Sequence, residues 1–159
     1  MQITQPVRAA RTYTQRLVAD PARVFPLLCP VLEADWIDGW DPLLVVSESG
    51  VAERDCVFVT AAEPNDAVWY VTRHEPGQHF VEMLKITPQV TACRLAIQLR
   101  ATAEGCEATI DYVHTSLGPQ GDAFVAGFTE AFYAQFMRDW EARINHFLVH
   151  GVALRRMEG

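Results

Sequence analysis

The chain lacks any long apolar run. None of its 159 residues belongs to a stretch near the roughly 18 consecutive apolar residues of a membrane-spanning helix, so we expect no stable membrane insertion. Residues 1–11 also lack the apolar centre of an export signal. From these two features we expect a cytoplasmic protein.

Positive charge is scarce as well. Lys and Arg number 13 against 20 Asp and Glu, which gives a net charge of −7. Nucleic-acid phosphates and anionic lipid surfaces both need a concentrated basic surface on their protein partner, so we expect neither partner. Half of the residues are hydrophobic and 21% are charged, as in ordinary globular proteins. The length favours one domain, residues 1–159.

Closely spaced metal-ligand or disulfide motifs are missing. The four cysteines contain no CxxC pair, and the five histidines do not cluster with them. Zinc sites usually take closely spaced thiolates and imidazoles. In a reducing compartment such scattered cysteines stay as thiols. We therefore predict no metal, no cofactor and four free thiols: Cys29, Cys56, Cys93 and Cys106.

Proline is absent from residues 121–150, where Gly127 is the one interior glycine. Large apolar residues recur there at every fourth position, which is a helical spacing: Phe124, Phe128, Phe132, Phe136, Trp140, Ile144 and Leu148. A helix of some thirty residues would be about 45 Å long, enough to cross a domain of this size. The pattern predicts one continuous C-terminal helix from Gly121 to His150, with most of its aromatic rings in the core.

Extended runs separated by turn residues precede this helix. Residues 11–18 predict a first strand, and Asp20-Pro21 predicts the start of the first of two short helices, which end at Pro30 and Trp36. Because the links between the following strands are short, these strands should form an antiparallel meander. The six predicted strands are residues 43–49, 56–62, 67–74, 79–87, 90–100 and 106–117.

Two hairpin turns set the expected faces of the last three strands. We place one two-residue turn at residues 104–105 and a second at residues 88–89. A slip of one residue at either turn would reverse the side-chain assignments. With these turns one apolar face carries a common set of residues: Phe80, Glu82, Leu95, Ile97, Leu99, Ile110, Tyr112 and His114.

The order of these elements over residues 11–150 resembles a bacterial branch of the START-like (SRPBCC) superfamily, which includes Bet v 1-like proteins and the polyketide cyclase/dehydrase and lipid-transport group. Three stretches carry the resemblance: residues 20–30, residues 36–40, and Trp140 with Asn145-His146. The resemblance implies an α+β helix-grip fold, in which a curved antiparallel seven-stranded sheet wraps around the long C-terminal helix and two short helices follow the first strand. It also implies an internal cavity for a hydrophobic small molecule. No reaction is carried over, because the superfamily shares no catalytic motif.

Polar groups on the apolar face are the candidate functional residues. Charged side chains are almost never buried without a partner, so Glu82 and His114 either pair, face a wet cavity, or lie at an exposed strand end. With Tyr112 they are the candidate acid–base groups. Trp36 and Trp40 flank a glycine in a predicted loop and either close the cavity or anchor packing. The predicted ligand-binding set is Trp36, Trp40, Trp69, Phe80, Glu82, Leu95, Ile97, Tyr112, His114, Phe128, Phe132 and Phe136.

Three functions fit these residues. The favoured one is binding or carriage of a hydrophobic small molecule (lipid-, polyketide- or aromatic-like) between the sheet and the C-terminal helix. The alternative is an aromatase/cyclase- or dehydrase-type enzyme that acts on a polyketide-like substrate by acid/base catalysis, which would need several titratable groups in the cavity. A protein-interaction module is the third. Both a monomer and a homodimer are compatible with the sequence.

Overall fold

The computed structural model describes residues 1–155. Its centre is a curved antiparallel sheet of seven strands in the spatial order β1-β7-β6-β5-β4-β3-β2. Strands β2 to β7 form the predicted antiparallel meander. Strand β1 lies at the edge beside β7, a position that the sequence analysis did not specify. The strands are β1 (Arg8–Leu17), β2 (Leu44–Val46), β3 (Val57–Thr60), β4 (Ala67–Glu75), β5 (Phe80–Thr87), β6 (Thr91–Thr102) and β7 (Gly105–Ser116).

Short helices follow the first strand, as the sequence indicates. Helix α1 (Pro21–Val24) begins where the Asp20 carboxylate accepts a hydrogen bond from the Arg23 backbone N–H at 2.9 Å. Two short 3₁₀ helices continue the connection, Phe25–Leu27 and Leu32–Asp35. The helix-grip fold class is therefore confirmed. None of the helices described is both long and apolar enough to cross a membrane.

The predicted continuous helix from Gly121 to His150 is wrong, because the structure has two helices there. Helix α2 (Pro119–Gly127) ends at the glycine, and Phe128 leaves the helical region with φ −83° and ψ 60°. Helix α3 (Glu130–His150) starts afresh after Thr129, whose hydroxyl accepts a hydrogen bond from the Phe132 N–H at 3.1 Å. A threonine N-cap after a glycine outweighs the continuous apolar spacing.

Helix α3 is fixed to the sheet by one buried row and by polar contacts to β1. The buried row consists of Tyr133, Met137, Ile144 and Leu148. The Gln15 side chain, itself buried, donates to the Met137 carbonyl at 3.0 Å. The Asn145 amide also accepts from the Val18 N–H at 3.0 Å and donates to the Arg16 carbonyl at 2.9 Å. These contacts attach helix α3 to β1 and to the residue that follows it.

The hairpin between β6 and β7 keeps the predicted faces despite a different register. Thr102 pairs with Gly105, so Leu95 lies opposite Tyr112 and not opposite His114. This is a shift of two residues, and side chains alternate with a period of two. Leu95, Ile97, Tyr112 and His114 therefore remain on the inner, buried face.

The register of the hairpin between β5 and β6 differs by one residue from the predicted register, so the predicted inner and outer faces of β5 are wrong. Thr87 pairs with Thr91 across a three-residue loop in which Gln89 has a positive φ of 67°. Three-residue loops of this kind are common hairpin connections. The odd shift turns Phe80 and Glu82 outward. It turns Val81, Met83 and Lys85 inward.

The four cysteines are free, buried thiols, as predicted.

Candidate ligand-binding cavity

A cavity of about 480 Å³ lies between the inner face of the sheet, the 3₁₀ helices and helices α2 and α3. This volume is within the range of roughly 300–1,000 Å³ that is typical of small-molecule sites. Its walls are predominantly aliphatic and aromatic. Nine residues of the predicted ligand-binding set line it: Trp40, Trp69, Leu95, Ile97, Tyr112, His114, Phe128, Phe132 and Phe136.

The other three residues of that set lie elsewhere. Glu82 is on the outer face, where it accepts a hydrogen bond from the Thr72 hydroxyl at 2.8 Å. Phe80 is also outside, with the Arg73 guanidinium 4.4 Å above its ring. Both corrections follow from the one-residue change at the β5–β6 hairpin. The proposed partnership of Glu82 with His114 is therefore excluded.

Trp36 and Trp40 divide the two roles that the sequence left open. Trp36 is fully buried, its indole N–H donates to the Leu27 carbonyl at 3.0 Å, and its ring lies 5.5 Å from that of Trp140. It is a packing anchor. Trp40 lines the cavity, while its N–H donates to the Pro30 carbonyl at 2.7 Å.

One row of side chains crosses the inner face of the sheet from β3 to β7. Neighbours in register place Phe58, Trp69, Lys85, Cys93 and His114 side by side. The Phe58 and Trp69 rings stack at 5.1 Å, and the Lys85 Nζ lies 4.9 Å from the Trp69 ring centroid. At the other end, the Cys93 Sγ is 3.8 Å from the His114 Nε2. The row brings an aromatic stack, an amine, a thiol and an imidazole together.

His114 is a neutral imidazole at the end of this row. It is only 4% exposed, and the rings of Phe124 and Phe128 meet it at 4.8 and 4.5 Å. Burial, and to a smaller extent the positive charge of Lys85, lowers the pKa of His114 to about 4. An uncharged imidazole at neutral pH can donate one hydrogen bond and accept another.

Lys85 is one of the cavity residues that the sequence reasoning missed. Burial lowers the pKa of its amine, and the electrostatic interaction with neighbouring Cys93 opposes that shift. The Trp69 ring also favours the charged form by cation–π attraction, worth about 0.5–2 kcal/mol. The predicted register had turned Lys85 outward. A compositional signal was present, however, because Lys85 is the one lysine among the 13 basic residues of the sequence.

Glu33 faces the same cavity from the 3₁₀ helix Leu32–Asp35 and was also missed. Burial raises the pKa of its carboxyl group to about 8, so much of it carries a proton at neutral pH. Burial also raises the pKa of Tyr112 well above its usual value, and the charges of Cys93, Tyr133 and Glu33 add to that shift. The residues around Glu33 in the sequence gave no signal that its side chain faces the cavity.

Unpaired buried polar atoms occur at this cavity. Among the described residues, two buried side-chain nitrogen atoms lack a hydrogen-bond partner, the His114 Nδ1 and the Arg143 Nη1. Both residues line the cavity. An unsatisfied buried polar atom costs about 1–3 kcal/mol. A polar group of a ligand could offset that cost if it reached either atom.

The sheet and the helices together define the structural class: the chain has a Bet v 1-like helix-grip fold. No protein-family model and no curated protein sequence matches it. Among solved structures, it is similar to a truncated norcoclaurine synthase from Thalictrum flavum, with a TM-score of 0.69 and 10% identity over 94% of this chain and 99% of that one.

Two further structures are similar at the same level. A protein of Rhodobacter sphaeroides has a TM-score of 0.63 and 15% identity over 88% of this chain and 91% of that one. DynU16, described as a putative protein in the dynemicin biosynthetic locus, has a TM-score of 0.57 and 17% identity over 94% of this chain but 49% of its own length. At these identities the likeness establishes the fold alone.

Proposed function

We propose that the chain binds a hydrophobic small molecule with an aromatic body in the cavity between the sheet and helices α2 and α3. The observation that carries the proposal is the lining of the 480 Å³ cavity. Aromatic and aliphatic side chains form most of the wall, and a few polar groups are gathered on it. Such a division lets the apolar wall supply affinity while the polar groups fix orientation.

The fold neighbours support the ligand class. A norcoclaurine synthase structure that is 12% identical to this chain contains dopamine and hydroxybenzaldehyde, two small aromatic compounds. The cavity of this chain likewise presents ring faces and edges, among them Trp69, Phe128 and Phe136. Aromatic pairs in offset or edge-to-face arrangements gain about 0.5–1.5 kcal/mol beyond their buried area. An aromatic ligand would use those contacts.

Calorimetric titration with 2-naphthol tests the binding proposal on two matched variants. Met83 and Leu84 are neighbours on β5, but Met83 lines the cavity and Leu84 lies on the outer face. Met83→Trp should fill part of the cavity and weaken binding by about tenfold or more, a loss of about 1.4 kcal/mol. Leu84→Trp should leave the affinity unchanged. Equal effects of the two changes, or no binding to the unaltered protein, would contradict the proposal.

Acid/base catalysis on a polyketide-like substrate is the second candidate function. It is favoured by one specific observation: several titratable groups with displaced pKa values, namely those of Glu33, Lys85 and His114, face one cavity. With a cyclisable poly-β-ketone as substrate, Glu33→Gln should lower the rate by roughly 10²–10⁴-fold. Affinity for 2-naphthol should stay within about twofold. No turnover by the unaltered protein would leave binding as the function of the cavity.

A further inference from the structure

The chain uses lysine at a single position. Of its 13 basic residues, 12 are arginines and one is Lys85. A guanidinium remains charged under all ordinary conditions, whereas an amine can lose its proton and then present a lone pair. Every other basic side chain is thus of the kind that cannot act as an amine nucleophile. The exception lines the cavity.

The structure does not use Lys85 as an ion-pair partner. The salt bridges among the described residues all take their positive charge from arginine. Lys85 instead has the Trp69 ring at 4.9 Å on one side and Cys93 as its neighbour on the other strand. An amine desolvated in an apolar pocket, without a carboxylate to hold its proton, is the usual setting of a nucleophilic lysine. The burial that lowers its pKa acts in the same direction.

We propose that Lys85 binds an apolar aldehyde or ketone covalently, as an imine, inside the cavity. The inference rests on the proposed binding function and names its ligand class. The lone pair of Nζ attacks the carbonyl carbon, and the carbonyl oxygen takes up a proton to give a carbinolamine. After the oxygen takes up a second proton, the C–O bond breaks and the oxygen leaves as water, while the nitrogen releases its two hydrogens as protons, so that the protons balance. A C=N bond remains, and no oxidant or reductant is consumed.

The cavity also contains a proton donor for the loss of water. The departing oxygen needs a proton, and Glu33, which lines the same cavity, carries one for much of the time at neutral pH. The surrounding aromatic wall would hold the apolar body of the carbonyl compound. The row of side chains from β3 to β7 that contains Lys85 ends in the neutral imidazole of His114. Within that row, Lys85 is therefore the one side chain that can carry a positive charge at neutral pH.

A purely structural role for Lys85 makes a different prediction. Its amine could merely cover the Trp69 ring by cation–π attraction. An arginine stacks on aromatic rings at least as well, yet it forms no imine. Lys85→Arg therefore separates the two roles, and Lys85→Met serves as a second variant that removes both the charge and the nucleophile.

The test is reductive trapping with 2-naphthaldehyde and sodium cyanoborohydride, followed by intact-mass measurement and peptide mapping. The unaltered chain has two kinds of primary amine, Lys85 and the N-terminus at Met1. We expect trapping at Lys85 at least about tenfold faster than at the N-terminus, and suppression by excess 2-naphthol. In Lys85→Arg and Lys85→Met, only the slow N-terminal adduct should form.

Parallel calorimetry with 2-naphthalenemethanol, which has the same ring system but no carbonyl group, distinguishes the two possible failures. If the alcohol binds but the aldehyde is trapped no faster than at the N-terminus, the imine is wrong and the binding function stands. If neither compound binds, the proposed function itself fails. If the variants cannot be purified folded, the position of the adduct in the unaltered chain decides alone, and an adduct confined to Met1 overturns the inference.

Discussion

Helix α3 carries two rows of large side chains with opposite surroundings. One row, which contains Tyr133 and Met137, is buried against the sheet, and the Tyr133 hydroxyl donates to the Ile110 carbonyl. The other row contains Phe132 and Phe136, which line the cavity and are 55% and 41% exposed. The two rows are offset by a single residue along the same helix.

This contrast shows that residue type and structural role are separate on this helix. The row with the strongest aromatic periodicity is the cavity wall, and the core row is built from a mixture of tyrosine, methionine, isoleucine and leucine. A phenylalanine left 41–55% exposed gains little from burial, since the hydrophobic contribution scales with the area removed from water. These rings therefore leave apolar surface open to the cavity.

The largest expected effect is on the core row. Met137 is completely buried, so Met137→Ala should lower the free energy of unfolding by about 2–5 kcal/mol. Urea denaturation at neutral pH measures this loss. Val149→Ala on the same helix is the control, because Val149 is 65% exposed and its truncation should change stability by less than about 0.5 kcal/mol. Equal losses for both variants would remove the distinction between the rows.

The faces of the sheet show how far sequence reasoning reaches. Alternation of apolar residues correctly placed Leu95, Tyr112 and His114 inside, because the error at that hairpin was even. At the turn of residues 88–90 the predicted register was wrong by one residue, an odd number. The same reasoning therefore put Glu82 on the inner face and Lys85 on the outer face. Loop length is set by local backbone preferences, here the positive φ of Gln89, that composition does not reveal.

The break before α3 was hidden for a related reason. Apolar spacing continues from Phe124 through Phe128 to Phe132 whether or not the backbone is helical between them. The local signal was Gly127 followed by Thr129, a stop and an N-cap. Weighing those two residues above the periodicity would have predicted both helices. Glu33 could not have been placed in this way, since its position depends on how a short 3₁₀ helix packs over the sheet.

A smaller effect on the free energy of unfolding is expected at Glu33, which lines the cavity. Its pKa is about 8 in the folded chain and near 4.5 when unfolded, so its contribution to stability is complete below pH 4.5 and is lost as pH rises to about 8. Gln mimics the protonated form. At pH 4.5, Glu33→Gln should be as stable as the unaltered protein. At pH 8 it should be more stable by on the order of 2 kcal/mol, a value that is reduced from the full pKa shift because Glu33 is partly exposed.

Urea denaturation at pH 4.5, 6.5 and 8 would show the trend for Glu33→Gln. Glu104→Gln provides the control, because Glu104 is exposed in the β6–β7 turn. Because surface substitutions usually change stability by less than about 0.5 kcal/mol, this variant should stay close to the unaltered protein. If the stability difference for Glu33→Gln is also independent of pH, then Glu33 is solvated and the cavity contains no buried carboxyl group at this position.

The smallest expected effect on stability is the most informative about the cavity row. Phe136 is 41% exposed, and its ring contacts Tyr112 edge-on at a centroid distance of 6.1 Å. Phe136→Ala should therefore lower the free energy of unfolding by less than about 1 kcal/mol, well below the range for a fully buried phenylalanine. The same change removes one aromatic wall, so 2-naphthol should bind about 3–10-fold more weakly. Denaturation and calorimetry on one preparation measure both quantities. A stability loss above about 3 kcal/mol with unchanged affinity would place Phe136 in the core and reverse the assignment of the two rows.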